Sequence, residues 1–257
     1  MSIAQRFADL VAEHYVLADL APGYADAIRG VATRVDAALP DLAAANEVIR
    51  SVAPDGHLGI RHLPRESADP TGAFAVTWTG PTAILSIAPV FPDDEAAVRS
   101  AAAEVAGAER LIIDLRACGG GDTDVVAALE GHLLGATPVL VGRFEKRDAA
   151  PVEQWISPAD PQLTMPVSVL TSHRTFSGGE DLAYVLQAAG RAIVVGEVTG
   201  GGAHPVDHFP LDDGLVAQIP TGRFVSVFTG INWEGVGVQP DIPCSAELAL
   251  DTALRSF

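Results

Sequence analysis

A serine between a β-type run and a helix-type run is the residue of this chain best placed to do chemistry. Ser177 follows the apolar run 167–170, and residues 181–189 after it show helical spacing. The first N–H groups of a helix lack internal partners and lie at the positive end of its dipole. Such donors stabilise an oxyanion more strongly than a neutral hydroxyl. Ser177 is therefore the candidate nucleophile.

Position alone leaves a second interpretation of this serine open. Serine is a favoured N-cap residue, so Ser177 could simply begin the helix. The surrounding letters, T-F-S-G-G at 175–179, do not match the G-x-S-x-G turn of α/β-hydrolases. The catalytic interpretation therefore depends on residues elsewhere in the chain.

Four other segments carry groups that serve in catalysis. They supply an imidazole at His57, a glycine-rich backbone at 119–121, a second imidazole at His204 and a carboxylate at Glu234. Imidazoles and carboxylates transfer protons or orient other groups, and glycine lets the backbone approach a ligand closely. The segments are, in chain order, D-G-H-L at 55–58, D-L-R-A-C-G-G-G at 114–121, V-G-E-V-T-G-G-G-A-H at 195–204 and N-W-E-G-V-G-V-Q-P-D at 232–241.

Together with T-F-S-G-G-E at 175–180, these segments resemble the tail-specific (C-terminal processing) family of serine peptidases in content and order. The most similar branch is that of tricorn core protease and the repeats of interphotoreceptor retinoid-binding protein. The resemblance covers about residues 55–243, with a weaker helical match before it. It implies an α/β (α+β) fold, a crotonase/ClpP-like spiral of ββα units.

The resemblance also implies a domain organisation. We expect an N-terminal helical subdomain at 1–54 and a crotonase-like catalytic domain at 55–257. Tail-specific proteases usually carry a PDZ-like domain that recognises substrate C-termini. The 53 positions from Leu58 to Leu111 are too few for it, so no PDZ-like domain is expected.

The family assigns the nucleophile to the position of Ser177. Many members use a lysine base about 25 residues beyond the serine, but no lysine follows Lys146 in this chain. The tricorn-like branch uses His and Glu instead. This implies His57 as general base and Glu234, 57 residues past the serine, as the carboxylate that orients the imidazole.

The family pattern D-L-R-x-N-x-G-G implies an oxyanion hole at the glycine loop. Gly120 would donate one N–H and Gly178, directly after the nucleophile, would donate the other. A plain tight turn is the alternative for Gly120. Cys118 replaces the Asn of the pattern, which is a departure from the family.

Several other residues compete for roles. Cys118 could be a thiol nucleophile, although no base is identifiable beside it. His173 and His204 are candidate cleft residues. His204 and His208 have the H-x-x-x-H spacing of a metal site, but flanking prolines are incompatible with a helix there, so no metal and no cofactor are predicted. Of the remaining charged groups, Asp114 is expected to pair with Arg116, and Glu180 and Asp181 to favour the first helical turn.

The elements that must position these groups follow from periodicity. Residues 2–52 have apolar side chains at three- and four-residue steps, which predicts about three helices. From residue 57 onward, strands and helices alternate, which implies a sheet covered by helices. Strands are predicted at 72–79, 83–87, 111–115, 167–170, 192–196 and 215–219, and helices at 93–108, 122–134 and 181–189.

Composition excludes some classes of partner and leaves others open. The formal net charge of −17 disfavours nucleic acid and anionic membrane surfaces. No apolar stretch is long enough to span a bilayer. Two cysteines make no disulfide framework, and the first residues do not match a secretory signal, so a cytoplasmic location is expected. Self-association is common in the family, which makes a homo-oligomer plausible.

The residues and the resemblance together predict a serine-type peptidase or related hydrolase that acts on a peptide or small-molecule substrate. Two alternatives stay open. The scaffold could bind apolar small ligands without catalysis, as the retinoid-binding relatives do, or the nucleophile could act on a non-peptide ester.

Overall fold

The computed structural model describes residues 1–62, 74–87, 89–212 and 214–256, and these residues form a mixed α/β fold. The helices are α1 (Ile3–His14), α2 (Ala21–Gly30), α3 (Ala32–Ala38), α4 (Leu42–Arg50), α5 (Glu95–Val105), α6 (Thr123–Leu133), α7 (Gly178–Ala188) and α8 (Ala246–Arg255). The strands are β1 (Gly59–His62), β2 (Phe74–Thr79), β3 (Thr82–Ile87), β4 (Arg110–Asp114), β5 (Val139–Lys146), β6 (Val152–Ile156), β7 (Val167–Thr171), β8 (Ala192–Gly196), β9 (Val206–Pro210), β10 (Leu215–Pro220), β11 (Gly222–Ser226) and β12 (Ile242–Pro243).

The N-terminal region contains four helices where periodicity predicted about three. The apolar pattern that runs from Ala27 to Leu39 is interrupted at Val31, whose φ of −110° and ψ of 9° end α2 and start α3. Gly30 directly before it disfavours a continuous helix. The apolar period therefore found the buried Val35 and the partly buried Val31 and Leu39, but it missed the buried Ile28 and could not show the break.

The chain divides into two compact units. The first comprises residues 1–66, 143–152 and 204–225. In it, β1, β10 and β9 form an antiparallel sheet in that order. The apolar faces of α1 to α4 pack with this sheet into one core, in which Phe7, Ile28 and Ile49 are fully buried.

The second unit comprises residues 67–142, 153–203 and 226–257. Its sheet has six strands in the order β12-β8-β7-β4-β3-β2. All neighbouring pairs are parallel except β2 with β3, which form an antiparallel pair. The predicted sheet with alternating helices is thus confirmed, and residues 72 and 73 of the predicted 72–79 strand lie outside the described residues.

The adjacency of β4 and β7 brings two predicted loops together. The carboxyl ends of parallel neighbours lie at the same edge of a sheet, where α/β proteins bind ligands. Leu115 N donates to Leu170 O, and Phe176 N donates to Cys118 O at 3.1 Å. The glycine loop after β4 therefore lies against the turn that carries Ser177.

A third sheet has three strands in the order β11-β5-β6. The periodicity of the sequence did not predict β1, β5, β6, β9 or α8. None of the helices in the described part of the chain combines the length and the apolarity needed to cross a bilayer.

Candidate active site

Ser177 has an unusual backbone conformation. It occupies the N-cap position of α7 with φ 51° and ψ −120°, whereas an ordinary N-cap residue is extended. A positive φ is uncommon for a residue with a side chain, and such strain is concentrated at functional sites. The serine of a nucleophile elbow is likewise held on a strained strand-to-helix turn. A residue that only caps a helix does not need this backbone conformation. The conformation of Ser177 therefore favours a functional role.

The glycine loop approaches this serine closely. A Cβ on Gly120 would lie 2.8 Å from Ser177 Cβ and 3.2 Å from Gly178 N, and the φ of Gly120 is 116°. Both the close contact and the positive φ require glycine at position 120. The structure thus brings Ser177, Gly178 and Gly120 together.

Adding one methyl group at Gly120 should disturb the site. We expect Gly120→Ala to slow acylation of Ser177 by a fluorophosphonate about 10²-fold or more, the effect of losing one oxyanion donor. Stopped-time labelling followed by mass spectrometry measures this rate. Gly107→Ala is the matched control, because a Cβ at Gly107 meets nothing within 4 Å. Labelling of Gly120→Ala at the wild-type rate would contradict the assignment.

Cys118 is a poor candidate for a nucleophile. Its side chain is fully buried, and burial raises the pKa of the thiol to about 11. A thiol with such a pKa is almost entirely protonated at neutral pH, whereas the thiolate is the nucleophile. Instead, its carbonyl accepts from Phe176 N, and Cys118 packs against the first turn of α7, where a Cβ on Gly179 would lie 3.2 Å from its Sγ.

Glu180 has a role that the sequence interpretation missed. It is fully buried, and its carboxylate accepts from Ser177 N at 2.9 Å, Gly201 N at 2.7 Å, Gly202 N at 2.8 Å and the Thr199 hydroxyl. Burial raises its pKa, and these four donors oppose that rise. Glu180 thus fixes the turn of Ser177 to the glycine segment beyond β8. The sequence offered one signal for this role, because Glu180 lies three residues after Ser177.

Glu234 binds the same glycine segment. Its Oε2 accepts from Ala203 N at 2.6 Å, and the neighbouring Trp233 donates its indole N–H to Gly202 O at 2.9 Å. Gly235 N donates to Gly201 O at 2.9 Å. Residues 201–203 therefore connect Glu180, which holds Ser177, with the half-buried side chain of Glu234.

His57 lies in the first unit, between α4 and β1. Its N–H donates to Asp55 Oδ1 at 2.9 Å, and its carbonyl accepts from the Gln218 side chain at 2.6 Å. Burial lowers the pKa of His57 to about 4, although the charge of Asp55 opposes the shift. The imidazole is therefore neutral at pH 7, which is the state a general base needs.

His204 is buried in the same unit. Its Nδ1 lies 3.3 Å from Asp55 Oδ2, and the Tyr15 hydroxyl donates to that oxygen at 2.8 Å. His208, its partner in the considered metal spacing, is an exposed residue of β9. Asp55, two residues before His57, was not singled out by sequence analysis.

Two further sequence predictions concern side chains near the strand ends. They are His173 as a candidate cleft residue and the pair of Asp114 with Arg116. His173 is exposed, and its Nδ1 lies 2.9 Å from Glu197 Oε2. Hydrogen bonds from His173 lower the pKa of Glu197 to about 2. The predicted structural pair is present, since Arg116 binds Asp114 with nitrogen–oxygen distances of 2.6 and 2.9 Å.

Asp181 lies in the first turn of α7, as the sequence suggested. It is buried between α6 and α7, and burial raises its pKa to about 7. Burial and the nearby charge of Asp181 also raise the pKa of Glu130. Within the described residues, neither Glu130 carboxyl oxygen nor Asp181 Oδ1 has a hydrogen-bond partner.

The buried pair of Glu130 and Asp181 predicts that the folded protein is less stable at pH 8 than at pH 5. A carboxyl group whose folded pKa is raised stabilises the fold below its ordinary pKa, and that stabilisation is lost as the pH rises through about 7. We expect the free energy of unfolding to fall by roughly 1–3 kcal/mol between pH 5 and pH 8, and by less in Asp181→Asn. Urea unfolding at each pH measures it, with the exposed Asp124→Asn as control. A wild-type stability that is flat over this range would be incompatible with the pair.

The predicted site residues thus fall into two groups. In the second unit, Ser177, Gly178 and Gly120 are neighbours, and Glu234 is linked to them through Glu180 and the glycine segment. In the first unit, His57 and His204 share Asp55.

Comparison with known proteins gives a family match and several similar folds. The model of peptidase family S41 matches residues 81–244. The structure is similar to that of a candidate peptidase from Parabacteroides merdae ATCC 43184, with TM-score 0.72, 15% identity and coverage of 98% of this chain and 95% of that one. At this identity the likeness shows the fold alone.

Two named proteases are also similar in fold. The photosystem II D1 C-terminal processing protease has TM-score 0.55 and 22% identity, with 65% of this chain and 43% of that one covered. The tricorn protease has TM-score 0.57 and 13% identity, with 97% and 35% covered. The chain therefore spans less than half the length of either. These similarities confirm the predicted resemblance to the tail-specific (C-terminal processing) peptidases.

Proposed function

Because the chain belongs to peptidase family S41, we propose that it is a serine-type peptidase that acts through an acyl-enzyme on Ser177. His57 is the general base, and Glu234 orients and stabilises the imidazolium. The N–H groups of Gly120 and Gly178 form the oxyanion hole. The observation that carries the proposal is the strained Ser177, with the glycine loop in direct contact with it.

The reaction follows from these roles. Ser177 Oγ attacks the scissile carbonyl carbon while His57 accepts the hydroxyl proton. The negative oxygen of the tetrahedral intermediate accepts hydrogen bonds from the N–H groups of Gly120 and Gly178. The C–N bond then breaks and His57 gives its proton to the leaving amine. A water molecule attacks the acyl-enzyme with His57 again as base, and Ser177 is released with its proton.

The finer features of the fold are part of the same proposal. The β2–β3 pair followed by α5 supports a crotonase-like spiral of ββα units. We assign residues 1–54 to a helical subdomain and 55–257 to the catalytic domain, without a PDZ-like module. Two free cysteines fit the proposed cytoplasmic location.

Peptides are the proposed substrates, and substrate selection falls to the cleft and the helical region. Cleavage near a C-terminus, as the name of the D1 processing protease states for that protein, is the tail-specific form of the proposal. Association into a homo-oligomer is also proposed. A purely ligand-binding role is not favoured, since both the family and the named relatives are peptidases.

A covalent labelling experiment tests the nucleophile directly. The protein is treated with a fluorophosphonate, digested and analysed by mass spectrometry. We expect one adduct, on Ser177. An unmodified protein, or an adduct on another serine, would remove the basis of the proposal. Parallel peptide, ester and thioester panels then identify the acyl group that the labelled site hydrolyses.

A further inference from the structure

Asp55 is a buried carboxylate that joins the two buried histidines of the first unit. It is 2% exposed, His57 is 7% exposed and His204 is 3% exposed. Asp55 Oδ1 accepts the main-chain N–H of His57, and Asp55 Oδ2 lies 3.3 Å from His204 Nδ1.

The bonds of Asp55 keep it ionised despite its burial. Burial by itself raises the pKa of this carboxyl. The hydrogen bonds from His204 and Tyr15, the charge of His204 and the N–H of His57 outweigh it, so the pKa is lowered. An ionised carboxylate only accepts hydrogen bonds. His204 must therefore carry a proton on Nδ1, the nitrogen that faces Asp55.

The contact with His57 acts through the backbone. The bond from His57 N to the side chain two residues earlier forms an Asx turn, which fixes the course of the chain. Gln218 holds the carbonyl of the same residue at 2.6 Å. His57 is thus anchored on both sides of its Cα, so the backbone that carries its imidazole has a fixed course.

We propose that Asp55 is a positioning residue of the hydrolytic site, which fixes His57 through its main-chain N–H and sets the ring tautomer of His204. The proposal rests on the proposed function of His57 as the base. Asp55 does not touch the substrate. Its charge also favours the imidazolium form that His57 adopts after it takes the serine proton, since Asp55 raises the pKa of His57 while His204 and Arg61 lower it.

The tautomer of His204 gives a test that needs no activity. In ¹⁵N-histidine-labelled wild-type protein, we expect Nδ1 of His204 to carry the proton. In Asp55→Asn, the side-chain amide N–H₂ should replace the accepting oxygen, and the proton should move to Nε2. Assignment uses His204→Gln. A wild-type ring that lacks a proton on Nδ1, or a tautomer that is unchanged in Asp55→Asn, overturns the proposal.

The rate of fluorophosphonate acylation tests the effect on His57. We expect Asp55→Asn to react about 10²-fold more slowly, the lower range of a general base's contribution. The acylation rate of Asp55→Asn should also depend on pH differently. The midpoint of the acid limb of its pH–rate profile should move to lower pH, because the charge that raises the pKa of His57 is gone. Asp36→Asn is the matched control, since its Oδ1 accepts from Ala4 N in the same unit and should keep the wild-type rate. A slower rate with an unmoved midpoint would indicate a merely structural role and overturn the proposal.

Tyr15→Phe provides a second variant if Asp55→Asn does not fold. It removes one donor to Asp55 and keeps the charge, so His204 should stay protonated on Nδ1 and acylation should slow less than tenfold. A change of tautomer in Tyr15→Phe contradicts the proposal. Failure of the proposed function looks different, because the wild-type protein then carries no adduct on Ser177 at any pH while the histidine tautomers remain measurable.

Discussion

Ser177→Ala should lower kcat/KM for peptide hydrolysis by about 10⁶-fold, the effect of removing the nucleophile of a serine protease. The chemical reason is that no acyl-enzyme can form without the hydroxyl, and the buried thiol of Cys118, with its pKa near 11, cannot replace it. Because alanine at this φ is strained no more than serine, the free energy of unfolding should change by less than about 1 kcal/mol. Initial rates on a fluorogenic peptide and urea unfolding measure the two quantities.

Ser245→Ala is the control for this variant. Ser245 is also an N-cap serine of the second unit, at the start of α8, but it is extended and exposed. Its alanine variant should hydrolyse peptides at the wild-type rate. Comparable activity in Ser177→Ala and Ser245→Ala would mean that Ser177 is only a helix cap, the interpretation that position alone left open.

His57→Gln should lower kcat by about 10⁴-fold or more, because the serine proton then has no acceptor. In the wild-type protein, kcat/KM should rise as the pH passes about 4, the pKa to which burial lowers this imidazole, and should already be on its plateau at pH 6. The pH–rate profile from pH 3 to pH 8 measures the midpoint. An unperturbed histidine would place it near 6.5, and a midpoint there would contradict the described burial of His57.

His208→Gln is the matched control, since His208 is exposed on β9 of the same unit. It should leave both the rate and the midpoint unchanged. A stability measurement gives an independent check. Because the pKa of folded His57 is lowered, its contribution to stability is present above pH 6.5 and is lost as the pH falls through about 4. The loss should be roughly 3 kcal/mol at most, and it should be absent in His57→Gln.

The N-termini of α5 and α6 show what a short stretch of sequence can predict. Asp94 and Asp122 each accept two main-chain N–H bonds as N-caps of α5 and α6, and the predicted helices at 93–108 and 122–134 agree with them. An N-cap acts within four residues, so a short window of sequence contains all the information. The strands β5 and β6 were missed because their exposed faces interrupt the apolar pattern on which strand prediction depends.

By itself, the sequence determined the order of the motifs, and through them the family and the identity of Ser177, His57, Glu234 and the glycine loop as candidates. Only the tertiary structure decided what surrounds them. Glu180 and Asp181 are adjacent acids in the same helical turn, yet one binds four donors and the other faces the carboxyl group of Glu130.

The physical reason is that burial and hydrogen-bond partners come from residues distant in the chain. Gly120 meets Ser177 because β4 lies beside β7, and Asp55 stays ionised because Tyr15 and His204 reach it across 40 and 149 positions. Periodicity and capping are local, whereas solvation and charge depend on the whole packed surroundings of a group. The chemistry of each carboxylate and imidazole was therefore fixed only by the fold.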